Sequence, residues 1–438
     1  MTGRPLRVVA VADADSFLKW AAALLDGVPQ ADSSIVIVRT PLTVSEAQES
    51  AALDGTRFAD GGVTRVPYAG LADLLAREAP DAVVIAGRGP FVRLVMHVID
   101  ALDQRPVVVT GLPGISIPAQ RGALTYRREC DQFLVHSHRE DRAFRALAAQ
   151  IGVDMRFGMA RLPFAVRTAQ RAVAGTDLVF AAQAAVPWEP ADRRAVAEIL
   201  RDAALAHPER RVVVKLRSRA GESETHHERT SYEALLADRP ANLVFSHDSM
   251  RQALSTAEGL VTVSSTAAIE AIAAGVPVIA LDTFGISKRN LNTVFRSSGV
   301  LGDAGAVISR RFRYPAPAWL AQNYFHDDAE NTWWRDLEHF VDLRGDGLLP
   351  ARRQPARAGR VLRVAWERKS VLGREDRSPA GLFALAAGIP VRAGILFARR
   401  LRGNRGDMSW TDPTTDFTIT PALRQEPLLR RRVAAADV

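Results

Sequence analysis

Apolar and polar positions along this chain alternate between two rhythms. Short runs rich in valine and isoleucine recur at Arg7–Asp13, Ile35–Arg39, Asp81–Gly87, Pro106–Gly111 and Gln132–Ser137. Runs of this kind, apolar throughout rather than at every second position, predict strands buried on both faces of a parallel sheet. Between them, Leu71–Ala76 and Phe91–Leu102 follow the helical period. The series then restarts with Leu178–Gln183, Arg211–Leu216, Leu243–Ser246, Leu260–Ser264 and Pro277–Asp282, with a helix predicted over Ala191–Ala206. Two α/β units in tandem are expected, divided near Arg161–Gly175, where Leu162-Pro163 and a loop-like stretch break the rhythm. The expected organisation is residues 1–170, residues 171–345 ending in a helix around Asp336–Leu343, and a tail of residues 346–438.

Composition sharpens this picture at the tail. Of the net charge of +8, residues 346–438 supply +9, with eighteen Lys or Arg against nine Asp or Glu; residues 1–345 hold 39 against 40. The body therefore lacks the field that would hold a polyanion, and no specific nucleic-acid partner is expected of it. The tail reads as a mobile or loosely docked extension. Its most apolar piece, Gly381–Phe397, is interrupted by Pro390 and Arg392 and falls short of the roughly 20 residues of a spanning helix. Flanked by Arg399, Arg400, Arg402 and Arg405, it suits an anionic membrane surface as well as it suits disorder. The single cysteine, Cys130, excludes an internal disulfide, and Met1–Pro5 leads into a strand without a signal-peptide pattern. A cytoplasmic protein, peripheral on the inner face of the membrane if the tail binds there, is expected.

In open α/β sheets ligands sit beyond the carboxyl ends of the strands, so chemistry is sought there. The strongest such segment is Val261–Pro277. A strand delivers Ser264, Ser265 and Thr266 to the first turn of an alanine-rich helix, whose N–H groups and dipole suit a phosphate. The plainer reading is that Ser265 or Thr266 only caps the helix. Glu270 lies outside capping-box spacing and is assigned to a ribose. Lys215 and Arg217 follow the neighbouring strand at alternate positions and would neutralise a leaving phosphate, with His226 as a further hydrogen-bonding group. In the first unit Asp13 and Asp15 follow the first strand as candidate general bases, or Asp15 and Ser16 as helix caps. Ser16 and Lys19 on the next turn, and Gly114 in the turn Gly111–Ile115, are candidate substrate contacts. Adjacent His226 and His227 do not make a chelating pair, and Asp13-Ala14-Asp15 lacks a third ligand, so no metal and no cofactor is expected. His207-Pro208 precedes its strand and sits at the wrong end for a site.

With these residues placed, the chain resembles the GT-B glycosyltransferases, two Rossmann-like domains facing a cleft. The second half is similar to capsule-polysaccharide and polysialyltransferase-type enzymes, which pair a basic or His-Pro loop with a Ser/Thr-rich turn. Ser264-Ser265-Thr266 matches the turn, whereas Lys215-Leu216-Arg217-Ser218 stands in the place of the loop without the His-Pro. Residues 1–345 also resemble an uncharacterised glycosyltransferase family of high-GC bacteria, most visibly at Asp13–Trp20. The resemblance implies a metal-independent transferase taking a nucleotide-sugar donor, first choice a CMP-linked nonulosonic acid, to a glycan or glycopolymer acceptor of the cell envelope. A nucleotide-sugar epimerase or polyol-phosphate transferase on the same fold, and a non-catalytic nucleotide-binding scaffold, are the alternatives.

Overall fold

The computed structural model describes residues 4–42, 44–166, 175–184, 186–216, 230–350, 352, 360–384, 386, 388–390 and 394. Two parallel sheets account for it. The first contains β1 (Arg7–Ala12), β2 (Asp32–Val38), β3 (Val63–Val66), β4 (Ala82–Ala86), β5 (Val107–Thr110), β6 (Gln132–Val135) and β7 (Phe157–Met159), in the order β3-β2-β1-β4-β5-β6-β7. The second contains β8 (Asp177–Ala181), β9 (Val212–Lys215), β10 (Leu243–Ser246), β11 (Ala257–Thr262), β12 (Val278–Leu281) and β13 (Leu301–Gly302), in the order β10-β9-β8-β11-β12-β13. The ten valine-rich runs all form strands. β3, β7 and β13, which stand at sheet edges, escaped the pattern because they are short and carry few apolar residues.

Each sheet has the doubly wound Rossmann-like order, in which the chain steps outward from a central strand and then returns to build the other half. The reversal lies between β1 and β4 in the first sheet and between β8 and β11 in the second. Central strands are buried on both faces, as in β1, where Val8–Ala12 is fully enclosed. Helices close both faces by ordinary local rules. His138–Ile151, for example, is capped by the Ser137 hydroxyl accepting from Glu140 N–H and ends at Gly152 in the left-handed region.

After the second sheet the chain returns to the first. The helix Trp333–Gly345 inserts Trp333, Leu337 and Phe340 into the core that holds Trp20, Leu25, Ala82 and Val109. Gln132 donates to the Trp333 carbonyl and Arg344 donates to the Asp81 carbonyl, so both ends of this helix are tied to the first domain. Burying those three side chains is worth about 1.5–3 kcal/mol each. Part of the Arg-rich extension is also ordered onto the first domain. The helix Arg360–Leu372 lies along Gly89–Ile99, with Arg93 on Glu367 at 2.5 Å and Val371 and Leu372 buried.

Candidate functional site

The carboxyl ends of the two sheets face each other, and bonds between the domains join them. Lys19 donates to Glu270 at 3.3 Å across the interface while its ammonium sits 4.3 Å from the centre of the Phe164 ring. Ile115 N–H donates to the Thr266 hydroxyl at 3.3 Å. Arg139 spans from the first domain to the carbonyls of Thr293 and Val294 at 2.9 and 2.8 Å. Beside them the buried Glu140 carboxylate accepts from His136 N–H, Ser116 N–H and the Tyr324 hydroxyl, the last at 2.7 Å from the second domain.

At the reversal point of the second sheet, the turn after β11 is held by the loop after β8. Gln183 accepts from Ser264 N–H at 3.0 Å and donates to the Ser264 hydroxyl at 3.2 Å. The rest of the turn bonds to itself. Ser265 N–H donates to the Thr262 hydroxyl, Ala267 N–H to the Ser265 hydroxyl, and Ala268 and Ile269 N–H to the carbonyls of Ser265 and Thr266. These N–H groups are thus engaged, which corrects the expectation that they stand open to a phosphate. The Ser264 hydroxyl also gives its proton to Gln183 at 3.3 Å and the Thr262 hydroxyl to the Ala181 carbonyl at 3.4 Å, whereas the Ser265 and Thr266 hydroxyls, which accept from N–H groups, still have their own protons to give. Of the two candidate caps, Ser265 acts as one from the position before the N-cap, its hydroxyl accepting from Ala267 N–H at 3.2 Å, whereas Thr266 occupies the N-cap position of Ala267–Ala273 without a capping hydrogen bond.

The roof over this turn is Gly114. A Cβ there would stand 2.4 Å from the Thr266 hydroxyl, so only a glycine admits this approach. Glu270, assigned to a ribose on sequence grounds, is held by Lys19 in this structure. Lys215 ends β9 on the same sheet edge as Ser264, but β8 lies between β9 and β11. The Lys215 ammonium is buried and donates to the Leu216 carbonyl. Arg217 and His226 lie outside the described residues. His207 ends the helix Pro190–Ala206, and its ring meets the Ile308 carbonyl, away from the site edge.

At the reversal point of the first sheet, Asp13 follows β1 and Arg88 follows β4. Asp13 is 1% exposed, its carboxylate 3.5 Å from the Arg88 guanidinium, and neither carboxylate oxygen has a well-formed hydrogen bond. Burial pushes its carboxyl up to about 6, against the opposing pull of Arg88 and, more weakly, Arg127. Arg127 is itself buried. It brackets the sheet edge by donating to the Thr110 hydroxyl and to the carbonyls of Ala123 and Gly87, and desolvation lowers it to about 10. Asp15 and Ser16 are half-buried at the start of Asp15–Asp26, whose N-cap is Ala14 without a side-chain bond, so neither acts as the cap. Trp20, on the same helix, donates from Nε1 to His136 Nε2 at 3.0 Å, while His136 Nδ1 lies 2.8 Å from the Ala160 carbonyl.

Among the described residues, no group of three or more His, Cys, Asp or Glu is arranged to hold a metal ion. The sequence reading missed Arg88, Gln183, Glu140 and Tyr324. Arg88 and Gln183 were within its reach, since each stands two residues after the last residue of its strand, at a reversal point. Glu140 and Tyr324 meet from positions 184 residues apart and carry no local signal.

A family model described as Putative glycosyltransferase (DUF6716) matches residues 8–340. Among curated proteins none matches the sequence. Solved structures similar to the chain include UDP-GlcNAc 2-epimerase from Methanocaldococcus jannaschii, at 10% identity and a TM-score of 0.48, over 76% of this chain and 99% of that one. A UDP-glucosyltransferase from Polygonum tinctorium is similar at 11% identity and a TM-score of 0.44, over 81% and 100%.

Proposed function

We propose, from the premise that this chain belongs to the family described as Putative glycosyltransferase (DUF6716), that it moves a sugar from a nucleotide-activated donor to a glycan or glycopolymer acceptor of the cell envelope. The first-choice donor is a CMP-linked nonulosonic acid, on the strength of the resemblance of Ser264-Ser265-Thr266 to the Ser/Thr-rich turn of polysialyltransferase-type enzymes. The observation that carries the reading is the opposition of two reversal points. A hydroxyl-lined turn braced by Gln183 stands on one side of the interface, and a buried carboxylate flanked by two arginines stands on the other. Crevices at such points are where open α/β sheets take their ligands.

In this reading residues 171–345 bind the donor and residues 1–170 the acceptor. Ser264, Ser265 and Thr266 give hydroxyl protons to the phosphate, and Lys215 and Arg217 balance its charge as the sugar leaves. Glu270 passes from Lys19 to the ribose when the nucleotide arrives. Lys19, released from its partner, then joins Ser16, Gly114 and His226 in holding substrate. Asp13 accepts the proton of the attacking hydroxyl, with Asp15 as the substitute if the acceptor approaches from the open side. A base with its carboxyl near 6 is ionised at neutral pH yet still takes up a proton readily, the compromise that general-base catalysis favours. No metal is assigned a role.

The test is a thermal-shift panel of CMP, CDP, UDP and GDP, run on the unaltered chain and on Ser265→Ala. A ligand at a hundredfold over its Kd stabilises by about 2.7 kcal/mol. CMP or CDP is expected to raise the melting temperature most, with the shift reduced in the variant. A flat panel overturns the donor site. A preference for UDP overturns the cytidine donor, and a released 2-epimer instead of a glycosylated product overturns the transfer.

A further inference from the structure

The extension of the first domain presents an apolar plate that the transfer reaction does not use. Residues 379–384, 386 and 388–390 are helical and lie on the docked helix Arg360–Leu372. The two segments fit closely, because a Cβ at Gly388 would stand 2.2 Å from the Trp366 ring. Ala384 is buried beneath, next to a corner fixed by Arg368, Lys369 and Ser378 around Asp376. The outer side is apolar and open: Leu382 is 56% exposed, Phe383 65% and Ile389 56%, and Leu362 of the supporting helix is also exposed.

Charge decides what such a plate faces. The sequence of residues 379–390 contains no charged residue at all. Arg374 and Arg377 are exposed just before it. The sequence of residues 391–405 supplies five more arginines and no acid. Of the acids nearby, Glu375 is exposed between the two arginines, whereas Glu367 is paired with both Arg93 and Arg363, and Asp376 is buried against Arg368. Among the described residues at the edge of the plate, Arg374 and Arg377 outweigh Glu375, so the balance there is basic. A second copy of this chain would set arginine against arginine across the contact. A surface that is apolar beneath an anionic layer satisfies both features at once. Among the described residues no helix is long and apolar enough to cross a membrane, so the plate lies along the surface instead of spanning it.

We infer that Leu382, Phe383 and Ile389, with Arg374 and Arg377 at their edge, form a docking face for an anionic lipid bilayer. Because that face is braced on the first domain through Arg360–Leu372, it presents that domain to the membrane. This inference stands apart from the choice of donor, since it uses none of the residues at the interface between the sheets.

Flotation of the full chain with vesicles provides the test, using phosphatidylcholine alone or mixed in equal parts with phosphatidylglycerol. The chain is expected to float with the mixed vesicles and not with phosphatidylcholine alone, and to be released as salt rises. The triple variant Leu382→Ser, Phe383→Ser, Ile389→Ser is expected to bind at least about tenfold more weakly, since its apolar contact with the acyl boundary is gone. Arg374→Glu with Arg377→Glu keeps the apolar plate intact and is expected to lose the preference for phosphatidylglycerol. The inference is overturned if the chain stays with the soluble fraction. It is equally overturned if both variants float as well as the parent. A triple variant that turns a dimeric parent monomeric, with flotation unchanged, would assign the plate to self-association instead.

Discussion

Replacing Asp13 by asparagine tests the physical state of the carboxylate that the proposed mechanism depends on. Its carboxyl is raised from 3.8 to about 6 by burial, so ionising it in the folded protein costs about 3 kcal/mol more than in the unfolded chain, at about 1.4 kcal/mol per unit. The sign is opposite to that of most carboxylates. With the folded value above the unfolded one, Asp13 adds no penalty below 3.8; stability is lost as pH rises from 3.8 through 6, and the full cost is present above that. The asparagine side chain cannot ionise and escapes this cost, although its amide loses about 1 kcal/mol of favourable contact with Arg88 and Arg127. Urea denaturation of both proteins at several pH values isolates the effect. The variant's stability relative to the parent should grow by about 1.5 kcal/mol between pH 5 and pH 8, most of it below pH 7. At pH 8 it should be the more stable protein by about 2 kcal/mol, yet its transfer rate should fall by about 10²–10⁴. A difference that stays flat with pH would refute the reasoning, because it would mean that Arg88 and Arg127 cancel the cost of burial.

Two further outcomes probe the interface between the domains. Gly114→Ala places a methyl on the Thr266 hydroxyl and should cost about 1–3 kcal/mol in urea denaturation, and adding Thr266→Ala should restore most of that loss. Tyr324→Phe removes the hydroxyl proton given to buried Glu140 and should cost about 1.5–3 kcal/mol by the same measurement, since the carboxylate keeps two backbone partners but loses its link to the second domain.

The strands of this protein were legible because a parallel sheet covered on both faces requires uninterrupted apolar runs such as Val8–Val11 and Val83–Ala86. Edge strands are exempt from that demand, and β3, Val-Thr-Arg-Val, is half polar for that reason. The turn Thr262–Thr266 was legible as a dense group of hydroxyls at a strand end. Its environment was not. Which donors are already engaged depends on Gln183, and how closely the other domain approaches depends on Gly114, and both are matters of three-dimensional placement. Asp13 could be read as a strand-end carboxylate, but its enclosure comes from Arg88 and Arg127, supplied by two other segments of the chain. The docking of Arg360–Leu372 was hidden for a related reason. Its Arg-rich composition suggests solvent, while only a few residues, such as Val371 and Leu372, face the protein.

The helix Trp333–Gly345 has a consequence for how the protein can be made. The first sheet is complete once residue 159 has been synthesised, but three large side chains of its core arrive only with residues 333–340. A ribosome must therefore build the whole second domain before the first can close, and until then the nascent chain exposes an apolar groove where Trp333, Leu337 and Phe340 will sit. Fragments cut between the two sheets inherit the same problem in permanent form: one lacks its wedge, and the other carries it with nothing to fill.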